Sequence, residues 1–433
     1  MRNLVLLAAL TLLVAVVHAK DTNDDRRELR SLVGQRVQTL LDELVEDGDH
    51  PKALNAAWAL FDQTIAHSDP CDGDPRDGEA LAHAAWAVRL VRLVGGAESP
   101  RRKDMLKYLR ANPALARRLV FVVRFDVEDP VEICRALDLL RAEHGGALDR
   151  YGGLAAAICV VHDKPLSRRI NENQAAAPNI ADIFGFYTAN ERRMLFGIKT
   201  VPAEVLIFVV DTTASIQEMR WALSKYAGDR EVGARFFDIR YDQNHFRTGA
   251  EKAVTQAGYD LPNILRHGGV CADQAYFAMS VGKSIGVPTA YVIGRSGQMG
   301  HAWVGFLQAK GKGAVWNFDT GRYEAYRAVQ GVVQDPQTRT RVPDAFVSLM
   351  AELIASREAD RHAAAAYTDA AVRLGEIRRA GGPFDPPPLV EMQTEQTSHL
   401  GADVESQLSL LEAGLRRSAA ANTRISSWPS WRP

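Results

Sequence analysis

The chain has 433 residues, 46% of them hydrophobic and 24% charged, with a formal net charge of -1. That length exceeds one ordinary core and predicts two or three domains. Lys and Arg are dispersed, with no stripe or long block, so the chain carries no electrostatic footprint for nucleic acid.

At the start, Arg2 precedes an apolar run from Leu4 to Val17, followed by His18 and Ala19. A charged start, a short apolar stretch and a small-residue cut site predict a secretory signal peptide over 1–19, cleaved after Ala19. The run falls short of the roughly 20 residues of a membrane-spanning helix. A secreted or periplasmic protein without a stable membrane anchor after cleavage is expected.

Residues 20–195 read as a mainly helical N-terminal region. "RRELRSLVGQRVQTLLDELVED" and "PKALNAAWALFDQTIAH" place apolar residues at three- and four-residue spacing, and "GEALAHAAWAVRLVRLVGG" ends in a glycine pair that stops a helix. Cys134 and Cys159 fall in apolar, helical runs, where core filling is the ordinary role of a cysteine; a bridge between them stays open. Cys71 sits in a polar loop.

The texture changes over 200–330. "AEVLIFVVD" is a β-branched apolar run that reads as a buried strand. Ser215 and Glu218 then form a capping box before a helix ending at Gly228. "ARFFDIRY" is a further strand candidate. Residues 331–380 read as helical, and 381–433 as a Pro-rich linker ("GGPFDPPPLV"), a last helix ("VESQLSLLEAGLRRSA") and a polar tail. The helical regions are candidates for protein binding.

Chemistry concentrates around "GGVCADQ". Cys271 falls in the first turn of a helix that Gly286 and Pro288 end, where the helix dipole favours a thiolate. The glycine pair before it would let a substrate backbone approach. A strand "TAYVIGR" follows, then "HAWVGFLQ", in which His301 and Trp303 share a face. A tight hairpin returns the chain into "AVWNFDTG", whose Val315, Asn317 and Asp319 share a face. Cysteine, histidine and carboxylate can therefore meet, the imidazole activating the thiol and the carboxylate fixing the ring. Asn317 is an alternative to Asp319 as the orienting group.

These motifs together resemble the transglutaminase-like superfamily of papain-fold cysteine enzymes, in its exported bacterial type. The match runs through Gly269 and Cys271, Gly286 to Pro288, His301 to Val304, and Trp316, Asp319 and Thr320. The resemblance implies an α+β fold, with a papain-like transglutaminase core flanked by mainly helical N- and C-terminal regions. It further implies Cys271 as nucleophile, His301 as general base and acid, and Asp319 as the orienting acid. The expected activity is thiol-dependent acyl transfer on amide bonds of a peptide or protein substrate, as peptidase, deamidase or transglutaminase, with no cofactor and no metal. The alternative is a catalytically silent scaffold used for protein binding. The Cys271 N–H would supply one oxyanion donor; Tyr241 and Gln243 are both open as the second.

Three other motifs lead nowhere. "SVGKS" resembles the end of a phosphate-binding loop, but Phe277 stands where its first glycine belongs. "DTTAS" after a strand suggests a metal-binding domain of von Willebrand A type, yet the parallel units that such a domain needs do not follow. His267, Cys271 and His301 lack a fourth zinc ligand and the close pairing of zinc sites.

Overall fold

The computed structural model describes residues 23–66, 68 and 75–379. The expected signal peptide, Cys71, and the linker, last helix and tail of 381–433 lie outside the described residues. The fold is α+β. Helices α1 (Asn23–Asp47), α2 (His50–Ala66), α3 (Pro75–Gly95), α4 (Arg102–Ala111), α5 (Pro113–Val122), α6 (Pro130–His144) and α7 (Gly152–Val161) come first. A hairpin of β1 (Ser167–Ile170) and β2 (Asn173–Ala176) interrupts the helices. Then follow α8 (Ile180–Ala189), α9 (Ala203–Val210), α10 (Ile216–Tyr226), α11 (Gln243–Thr248), α12 (Ala253–Ala257), α13 (Leu261–His267) and α14 (Cys271–Ser284). Strands β3 (Thr289–Ser296), β4 (Met299–Lys310), β5 (Gly313–Asn317), β6 (Val332–Gln334) and β7 (Arg341–Pro343) precede α15 (Asp344–Leu349) and α16 (Glu358–Arg379).

The described residues fall into two compact units, one of 23–91 with 362–379 and one of 92–361. The first is helical, with Val33, Leu41, Phe61, Ala84 and Tyr367 in its core. Two forked ion pairs tie the returning chain to the first helices: Arg89 to Asp369 at 2.6 and 2.7 Å, and Arg373 to Asp62 at 2.9 Å.

In the second unit no break falls between 195 and 200; residues 92–361 are one body. Its buried spine is α7, "GGLAAAICVV", every residue of which is buried, packed on α5, α6 and α9. Cys134 and Cys159 are buried free thiols. The apolar run "AEVLIFVV", expected as a strand, is helix α9, seven of whose eight residues are buried. A short apolar run surrounded by protein has no exposed face to reveal its period, and Pro202 at its N-cap starts a helix as readily as a strand. The second strand candidate is also helical: residues Val232–Asp238 form a 3₁₀ turn that buries Phe236. The capping box forms as read, with Glu218 N–H donating to Ser215 Oγ at 3.2 Å and Ser215 N–H to Glu218 Oε2 at 2.8 Å. The region 331–380 is not helical throughout, since β6 and β7 extend the sheet.

That sheet runs β5-β4-β3-β6-β7, all neighbours antiparallel. Its register sets His301 opposite Gly294 and Trp303 opposite Val292. Helix α14 packs across β3 and β4, and everything in the helix after Cys271 is buried. Its far end is anchored by Lys283, whose ammonium donates to the carbonyls of Phe208 (2.6 Å) and Thr289 (2.7 Å) and pairs with the Asp211 carboxylate. Arg168 pairs with the other oxygen of Asp211. The lysine of "SVGKS" and the aspartate of "DTTAS" thus meet as a buried ion pair, with Arg168 as a second cation on the aspartate.

Elsewhere in this unit the β6–β7 turn plugs into the helices. Gln337 donates to Val122 O at 2.7 Å and to the buried Glu128 carboxylate at 2.9 Å, and Arg339 donates to Val161 O.

Candidate active site

The loop before α14 is shaped by its own residues. Gly268 has φ +84, a left-handed conformation, and a Cβ there would strike the Arg240 carbonyl oxygen. At Gly269 a Cβ would lie 2.6 Å from Asp273 Oδ2. The pair therefore makes room for the protein's own Arg240 and Asp273, rather than for the substrate backbone expected from sequence. Gly269 also forms an isolated parallel bridge with Tyr241: its N–H donates to Arg240 O at 3.0 Å, and the Asp242 N–H donates to Gly269 O at 2.9 Å. Gln274 Nε2 adds a bond to Ile239 O at 2.8 Å. Cys271 opens the helix held by these contacts, and it is partly exposed, in contrast to buried Cys134 and Cys159.

The helix that Cys271 opens packs on β4, and the backbone N–H groups of Ala302, Ala272 and Cys271 itself lie close enough to favour negative charge on the sulfur. Ala302 immediately follows His301, so the thiol sits against the histidine's own strand, β4. Burial pushes the thiol pKa up, the three N–H groups pull it down, and the nearby Asp273 carboxylate pushes it up again. His301 is 5% exposed, and burial depresses its pKa, opposed by a carbonyl partner. The thiol pKa is raised overall, against the lowering expected at a helix start, and the imidazole pKa is lowered, so both shifts disfavour the charged forms.

That carbonyl belongs to Gly321, 2.7 Å from His301 Nε2. A carbonyl only accepts, so Nε2 carries the proton and Nδ1 is the basic nitrogen of the neutral ring. The ring lies between Tyr323, stacked with centroids 4.1 Å apart, and Tyr326 and Trp303 at 4.8 and 5.8 Å. Gly321 itself has φ +80 and abuts the Phe236 ring.

Asp319 does not take the orienting place expected of it. Its side chain is exposed, and among the described residues no carboxylate bonds the His301 ring. Strand β5 ends at Asn317, and the chain then turns. The Asn317 side-chain oxygen Oδ1 accepts the N–H groups of Asp319 at 2.9 Å and Thr320 at 3.3 Å, in the turn that brings the Gly321 carbonyl, two residues beyond Asp319, onto the imidazole. Asn317 is thus a turn-capping residue and not the orienter either.

Trp303 is fully buried under the Arg322 guanidinium, and Trp316 stacks on Phe318 and meets Phe208, so both are wall and core. Arg295 bonds its own loop at Gly297 O and Gln298. His267 is half-buried at the end of α13. Of the two oxyanion candidates, Tyr241 is electrostatically coupled to Cys271 and its hydroxyl is pushed up to about 12, by burial first and the thiol second. It therefore stays a donor at neutral pH. Gln243 is exposed.

Sequence reasoning missed Asp273, Lys252 and Tyr259, a buried cluster behind the thiol. The Asp273 carboxylate accepts Lys252 Nζ at 2.8 and 2.9 Å, Tyr259 O–H at 2.7 Å and Val270 N–H at 2.8 Å. An aspartate in a helix's first turn reads as routine dipole compensation, and nothing local marks Lys252.

Compared with family models, curated proteins and solved structures, the chain finds no match. Among the described residues, no helix is long and apolar enough to cross a membrane, and no group of three or more His, Cys, Asp or Glu is placed to hold a metal ion.

Proposed function

We propose that the protein is a thiol-dependent acyl-transfer enzyme acting on amide bonds of peptides or proteins, with a papain-like transglutaminase core. The observation that carries this reading is Cys271 at the N-terminus of a helix packed on β4, the strand that bears His301, with the Ala302 N–H near the sulfur. His301 Nδ1 takes the thiol proton, and the thiolate forms a C–S bond with the amide carbonyl carbon. The oxyanion is met by the Cys271 N–H, with Tyr241 O–H as the second donor. Collapse expels the amine, which receives the proton from His301, and leaves a thioester. Water completes hydrolysis; an amine completes transfer. In this reading the orienting function falls to the Gly321 carbonyl, so the working unit is Cys271 and His301 with a backbone acceptor. The exported location expected from residues 1–19 would place the substrate outside the cytoplasm.

The test is capture of an acyl-enzyme. Wild-type protein incubated with a peptide library should gain a mass on the Cys271 peptide that hydroxylamine removes, and Cys271→Ala should gain none. Activity should be indifferent to a chelator.

A second reading, a silent scaffold used for protein binding, draws on the burial that disfavours charge on both the thiol and the imidazole. It expects no adduct in the wild type and unchanged partner binding in Cys271→Ala.

A further inference from the structure

Behind the Cys271 helix terminus lies a carboxylate in an unfavourable place. Asp273 is two residues from the nucleophile, wholly buried, and its charge opposes ionisation of the sulfur. Lys252 is also wholly buried and clamps both oxygens of that carboxylate. Its ammonium lies near the Tyr259 ring and 3.3 Å from Glu172, on the turn of the β1–β2 hairpin. Thr255 fastens that turn, donating to Glu172 at 3.0 Å and accepting from Asn173 at 3.0 Å. A buried cation on a loop that otherwise only connects α11 to α12 is costly unless it is paired.

We propose that Lys252 is a positioning residue for the thiol: its ammonium cancels the Asp273 charge at the helix N-terminus, so that Cys271 can carry a negative charge during attack. The inference rests on the acyl-transfer reading for its purpose, but its electrostatics can be measured without substrate. The groups facing the sulfur are Asp273 on its own helix, Tyr291 and His301's strand from the sheet, Tyr241 from the preceding loop, and Tyr323 from the loop after β5. Those facing Asp273 are Lys252, Tyr259 and, through Lys252, Glu172. The tyrosines stay neutral in the range of interest, leaving His301 and the Asp273–Lys252 pair as the charges near the sulfur, and the substitutions below alter only the second.

The experiment is the pH dependence of Cys271 alkylation by iodoacetamide in the full chain, read by mass spectrometry of the Cys271 peptide. Lys252→Met should raise the midpoint by about one pH unit and slow alkylation roughly tenfold at pH 7. Asp273→Asn should lower the midpoint by a similar amount, because Lys252 is then left uncompensated. The double variant should return to within about 0.3 unit of wild type. Structural damage moves both single variants the same way, so opposite signs are the signature; shifts of the same sign, or none, overturn the proposal. If Lys252→Met does not fold, Asp273→Asn alone must still lower the midpoint. A wild-type Cys271 no more reactive than a free thiol would count against the enzyme, while the opposite-signed shifts would still stand or fall by themselves.

Discussion

Replacing Asp319 by Asn separates two accounts of the imidazole. Were Asp319 the orienting acid, its loss would leave the ring in the wrong tautomer, an effect of about 10⁴-fold in enzymes where a carboxylate holds that place. Here the tautomer is set by Gly321 O at 2.7 Å from Nε2, a bond that the substitution does not touch. What Asp319 can still contribute is the field of an exposed charge. Even at a contact distance of about 4 Å, a charge pair in water is worth about 1 kcal/mol, or roughly fivefold in rate. Asp319→Asn should therefore lower Cys271 alkylation and amide turnover by no more than about fivefold, with the pH profile moving by no more than about 0.7 unit. Gly321→Ala is the counterpart. Its Cβ would lie 2.9 Å from the Phe236 ring at a φ of +80, so the carbonyl must shift and reactivity should fall by much more than in Asp319→Asn. The assay is the second-order alkylation rate of Cys271 between pH 5 and 9. A loss of a hundredfold or more in Asp319→Asn would refute the backbone-carbonyl account.

Glu128→Gln should make the fold more acid-sensitive. Burial pushes Glu128 up to about 7, so the folded state holds a proton that the unfolded chain releases near 4.5, and stability falls as pH rises between those values. His162, half-buried with Nε2 on Val210 O, is pushed down to about 4 by desolvation, so stability falls as pH drops from about 6.5 to 4. The two slopes oppose each other in the wild type. Without Glu128, urea titrations should expose the histidine's loss, on the order of 3 kcal/mol between pH 6.5 and 4, and a flat profile would contradict the linkage. Lys283→Met leaves Asp211 buried with Arg168 as its remaining cation and should cost about 3–5 kcal/mol in chemical unfolding, detectable as a lowered midpoint. Cys134, pushed up to about 12 by burial, and Cys159, pushed up further, should remain unlabelled by iodoacetamide in the native protein while Cys271 reacts; labelling at equal rates would contradict the buried placement.

Local signals carried much of the second unit. The Ser215–Glu218 capping box, the stop at Gly286, the helix opening at Cys271 and the adjacency of β4 and β5 were all legible, because each depends on residues close in sequence. What failed was the state of apolar runs. "AEVLIFVV" became a helix because protein surrounds it on all sides, and an all-round apolar segment has no period to read. "ARFFDIRY" became a 3₁₀ turn in which Gly233 lies against Phe306 and Thr320, a close approach set by the sheet and not by local preference.

At the candidate site the sequence by itself determined a thiol at a helix start and an imidazole on a strand, since helix termini and strand alternation follow from short-range chemistry. Only the tertiary structure decided what surrounds them. It set the Ala302 N–H against the sulfur, gave the orienting bond to the Gly321 carbonyl instead of the Asp319 carboxylate, and placed Lys252 against Asp273. The physical reason is common to all three. Backbone acceptors leave no trace in residue identity, and buried charges find partners through space, where distance along the chain sets no limit.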